Sequence, residues 1–168
     1  LEKKLSGKIV NISPYVSELY EGLRGSASPQ DIETLFQLIY LHVTAARLDS
    51  SAFKSFLIRT AGWLENWKSR PESVFQDTLS VTLSQNHIRK RPLTANLLPE
   101  TDLHAAVNFY RDRFGDAGDF TFILVGNFET DTIKPLVLQY LGSLPTQNRR
   151  ESWVNHNIVP PKGNVDKS

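Results

Sequence analysis

Apolar residues recur at helical spacing over most of the chain. Ser28, Pro29 and Asp31 precede Ile32, Leu35, Phe36, Ile39 and Val43, which predicts a helix capped at Ser28 and running to about Ala46. Asp49 or Ser50 caps a second helix with Phe53, Phe56, Leu57, Ala61 and Leu64 on its inner side. Pro71 opens a third, carrying Val74, Phe75, Thr78, Leu79 and Leu83 inward. A fourth spans Leu103 to Phe114 and stops at Gly115. A last helix ends near Leu141 and Gly142 and must keep Pro135 near its first turn, because a proline deeper inside removes a hydrogen bond and clashes.

Strand pattern is scarcer. Lys8 to Ser13 reads as a short strand and SPY at 13–15 as a turn, with Val16 to Ser26 returning as its hairpin partner, bent at Gly22 or Gly25. Phe120 to Val125 reads as a third strand, ended by Gly126 and packed under the last helix. The polar segment 85–94 reads as a loop. The expected class is α+β, a two-layer antiparallel sheet covered by helices. Three strands under five helices make a thin sheet, so the domain is expected to be incomplete at its N-terminus.

Composition narrows the classes. The chain has 168 residues, 40% hydrophobic and 22% charged, with a formal net charge of +1. That is enough for one core and supplies no long-range field toward nucleic acid or an anionic membrane. No apolar run approaches the roughly 18–20 residues of a membrane-spanning helix. With no cysteine, thiolate chemistry and disulfides are out. Leu1 and the absence of methionine lead us to expect a processed product or a segment of a larger protein. LEKKLSG at 1–7 reads as the last turn of a helix stopped by Gly7, and 146–168, with Pro160–Pro161, as a linker.

Candidate chemistry is sparse. VGNFETD (125–131) has one glycine followed by acidic residues, so it is neither a phosphate loop nor a nucleophile elbow. His42, His87, His104 and His156 are too far apart in sequence for the closely spaced pairs of zinc sites. Arg89, Lys90 and Arg91 could touch phosphate, but no aromatic residue is interleaved to stack bases, and a solvated loop is expected. Trp63 and Trp67, one helical turn apart, are expected to pack in the core or against a partner domain.

IETLFQLIYL (32–41), WLENWKSRPESVFQDTL (63–79), RKRPLT (89–94), FYRDRF (109–114), DFTFILVGNF (119–128) and LGSLP (141–145), in that order, resemble the pitrilysin or insulinase-type zinc peptidases, the M16 family. The resemblance covers residues 7–145 and implies a partial domain at 1–145 followed by an inter-domain linker at 146–168. In that family an H-x-x-E-H motif and a downstream Glu hold zinc and activate water. By position Glu65 resembles that downstream Glu, but the chain has no H-x-x-E-H, so the role is not carried over. NISPYVSELYEGLRGS (11–26) also stands where active domains commonly read N-A-x-T.

The resemblance therefore implies a non-catalytic domain, the first of the second half of such a peptidase. It would wall the chamber, bind peptide and support the zinc-bearing half. The chain alone is expected to be inactive, with no catalytic or metal residue of its own and zinc in the catalytic half of the parent. Expected partners are the remaining domains, unfolded peptide and a second copy through an exposed sheet edge. No nucleic acid and no membrane span are expected. A bacterial periplasmic or envelope location is the family's tendency. The alternative is a free-standing structural or protein–protein interaction subunit of the same fold, without proteolysis.

Overall fold

The computed structural model describes residues 5–147 and 149–166. The fold is mixed α+β. A two-stranded antiparallel sheet, β1 (Val10–Val16) and β2 (Glu21–Ala27), is followed by helices α1 (Ile32–Thr44), α2 (Ser50–Lys68), α3 (Pro71–Leu83), α4 (Leu103–Phe114) and α5 (Thr130–Leu136). The chain divides into two compact units, 1–48 with 104–152, and 49–103 with 153–168.

In the first unit β1 and β2 pair in the register Val10↔Ala27 to Val16↔Glu21. The turn is Ser17 to Tyr20, not the expected SPY at 13–15. The Ser17 hydroxyl decides this: it donates to the Tyr20 carbonyl at 2.7 Å and accepts the Tyr20 N–H at 3.1 Å. Pro14 is thereby absorbed into β1, an edge strand, where a missing donor is tolerated. Gly25 lets α1 approach the hairpin closely. A Cβ there would stand 2.7 Å from the Asn11 carbonyl oxygen and 2.9 Å from Leu35 Cδ1.

Asp31 ties the helix start to the hairpin entry. Its carboxylate accepts the Ile9 N–H at 2.9 Å and the Ser28 hydroxyl at 2.8 Å. Ser28 thus acts through Asp31 rather than as the expected side-chain cap, and a 3₁₀ turn, Pro29–Asp31, precedes α1. Gly7 adopts the left-handed φ of +84° expected of a helix stop. The helical turn read before it lies mostly outside the described residues.

The core of this unit gathers Phe36, Leu38 and Val43 of α1 with Phe114, Ile133 and Leu144. Pro135 is the sixth residue of α5, not near its first turn. The α-helical ladder lacks a donor there, and the chain passes directly into a π-helical turn, Val137–Leu141, closed by Gly142 N–H to Val137 O at 2.9 Å. Tyr140 of that turn donates to Glu33 of α1 at 2.9 Å.

Phe120 to Val125 is not a paired strand. The sheet holds β1 and β2 alone, and among the described residues no backbone hydrogen bond joins 121–128 to another segment. Strand propensity is local, but a strand needs a partner backbone.

In the second unit Asp49 caps α2, accepting the Ala52 N–H at 3.0 Å. Leu64 is 1% exposed, but Phe56, expected inside, is exposed. The face expected for α3 is reversed: Ser73 and Ser84 are buried while Val74, Phe75, Leu79 and Leu83 are exposed. Residues 85–94 contain a 3₁₀ turn, Ile88–Lys90, within the expected loop.

Candidate functional site

Each candidate ligand has a definite place. In the first unit His42 sits in the last turn of α1, half-buried, with Nδ1 3.3 Å from the Tyr110 hydroxyl. That hydroxyl donates to the His42 carbonyl at 3.0 Å, so the ring nitrogen is the donor toward it. Burial holds the His42 imidazole below its ordinary pKa and raises the Tyr110 phenol. His42 is thus a neutral packing residue that clips α1 to α4. His104 lies exposed at the start of α4.

In the second unit Glu65 is exposed on α2. The Trp63 and Trp67 rings meet tilted at 31°, with centroids 5.1 Å apart, Trp63 facing solvent. The structure does bring His87 and His156 together, with ring centroids 6.5 Å apart. They do not suit a zinc ion. His87 Nδ1 already accepts the Arg89 N–H at 3.2 Å, which places the proton of the neutral ring on Nε2. Arg89, two residues on, adds a positive charge nearby. Arg91 pairs with Glu100 at 3.0 Å, as expected of a solvated loop. Among the described residues no three His, Cys, Asp or Glu side chains converge to hold a metal.

The polar side chains that do converge lie in the first unit, around Arg113 of α4. Its Nε donates to Glu21, the first residue of β2, at 2.8 Å, and its Nη1 to Glu151 at 2.8 Å, while Nη2 reaches both carboxylates. Arg149 bridges Glu151 at 2.8 Å and Asp112 at 3.0 Å. The hydrogen bonds it donates to Glu151 and then Glu21 hold the Arg113 guanidinium charged even more firmly than usual.

Next to this cluster Asp116, 5% exposed, accepts the N–H groups of Gln147 and Gly118 at 2.9 Å and of Arg149 at 3.1 Å. Those bonds, the Gln147 one foremost, hold its carboxyl below the ordinary 3.8. Ala117 N–H to Pro145 O at 2.9 Å completes the attachment. Pro145, Gln147, Arg149 and Glu151 are thereby fastened to α4 and the segment after it. Two guanidinium groups, Arg113 and Arg149, thus face the carboxylates of Glu21, Glu151, Asp112 and Asp116, and among the described residues Arg149 Nε is buried without a hydrogen-bond partner. Sequence spacing could not join Glu21, Arg113 and Glu151. The only local signals were the alternating charges in FYRDRF and the RRE at 149–151.

No protein-family model matches the chain. It is 28% identical over 116 residues to "Zinc protease PQQL-like" of Arabidopsis thaliana, covering 68% of this chain and 12% of that protein. It is 27% identical over 135 residues to "Probable zinc protease PqqL" of Escherichia coli strain K12, covering 80% of this chain and 14% of that protein. The chain thus spans about one seventh or less of the curated relatives it matches, and its similarity to them agrees, at family level, with the resemblance to M16 zinc peptidases.

Proposed function

We propose that this chain is a non-catalytic α+β domain of an M16-type zinc metalloendopeptidase, forming part of the wall that encloses peptide substrate and supporting the zinc-bearing part. The observation that carries the reading is the similarity, over 68 and 80% of the chain, to two proteins named as zinc proteases. The side chains support the non-catalytic half of it. Zinc hydrolysis needs three protein ligands, an open position and a nearby base. His42 is committed to Tyr110, and His87 is capped by Arg89. No catalytic step is therefore assigned to these residues. Their work is architectural: Arg113, Asp116 and Asp31 hold loops and hairpin rigidly against α1 and α4.

The test is metal content and peptidase activity of the native, full-length protein. Stoichiometric zinc and cleavage of an unfolded peptide are expected, both unchanged in Glu65→Gln and His104→Ala. Loss of zinc from either variant would overturn the non-catalytic assignment. A protein with neither zinc nor peptidase activity would overturn the peptidase context.

A further inference from the structure

We draw no further inference here: the strongest candidate, the cleft in the first unit lined by Gly118, Asp119, Arg149, Arg150 and Glu151, presents carboxylates and guanidinium groups together, and Arg149 Nε, buried there without a hydrogen-bond partner among the described residues, has no surface open to a ligand, so nothing in the structure shows what would occupy it.

Discussion

Arg113 and Glu21 stand 92 residues apart in sequence and join α4 to the first residue of β2 through Nε at 2.8 Å. The same guanidinium holds Glu151, so one side chain links hairpin, helix and the segment leaving the unit. Partly buried, multiply bonded pairs of this kind contribute more than isolated surface pairs.

Arg113→Leu should therefore loosen residues 149–151 around Glu151. Hydrogen bonds to charged groups contribute about 1.5–3 kcal/mol each in favourable cases, and solvent screening at this partly exposed site lowers the expected loss of stability to about 1–2 kcal/mol. Arg149 and Arg150 become the reporter, since trypsin should cut there faster in the variant. Lysine at 113 should restore part of the protection, because an ammonium cannot bond both carboxylates in the guanidinium's planar fork. Unchanged cleavage in Arg113→Leu would mean that Asp116 alone holds the segment.

Acid should destabilise the protein in two stages. Burial lowers the folded pKa of His42 below 6.5, so the unfolded chain takes its proton first. That stability is complete above pH 6.5 and falls as pH drops toward the folded value. Asp116 and Asp31 also have folded values below their ordinary 3.8, set mainly by backbone N–H donors from Gln147 and Ile9 respectively. Their contribution persists to about pH 4 and is lost only below it. Denaturant melts between pH 7 and 3 should show both declines, and His42→Gln should remove the first. A variant that keeps the upper decline would assign it to another group.

The boundaries of α2, α3 and α4 were legible because their signals are local: Asp49 as a cap, Pro71 at a first turn, Gly115 as a stop. The inner side of α3 was not. Periodicity identifies an apolar stripe but not whether anything lies against it, and here Ser73 and Ser84 face inward instead. The hairpin turn depended on the Ser17 hydroxyl rather than on Pro14. The segment at 120–125 was legible as strand-forming sequence, whereas a strand needs a partner backbone and none lies beside it among the described residues. The Glu21–Arg113–Glu151 cluster was illegible for the same reason, being built from three distant parts of the chain. His87 and His156 meet in space without any spacing signal, and the Arg89 N–H then occupies the ring nitrogen that would have mattered.

The reversed face of α3 predicts an unusual contrast between two apolar substitutions. Leu64→Ala removes a side chain that is 1% exposed and should cost about 2–5 kcal/mol through lost transfer and a residual cavity. Phe75 is 62% exposed, so Phe75→Ser should fall within about 0.5 kcal/mol of wild type. Chemical denaturation of both variants checks the pair. A large loss in Phe75→Ser would show that this face is covered in solution.

Gly25→Ala probes the closest approach in the first unit. The added methyl would meet the Asn11 carbonyl oxygen at 2.7 Å, and backbone cannot step aside as a side-chain tip can. On its other side Leu35 Cδ1 lies at 2.9 Å, on a helix already fixed by Asp31 at its start and by Tyr140 against Glu33. Neither wall yields cheaply, so the hairpin and α1 must separate, at a cost of about 1–3 kcal/mol, the usual range for overpacking. Shortening Leu35 to Ala relieves only the side-chain clash while opening a void of its own. The double variant Gly25→Ala/Leu35→Ala should therefore remain less stable than wild type, with a coupling energy that reports how much of the strain Leu35 carried. Full recovery in the double variant would mean that the Asn11 carbonyl shifts freely and that the hairpin, not the helix, is the compliant partner.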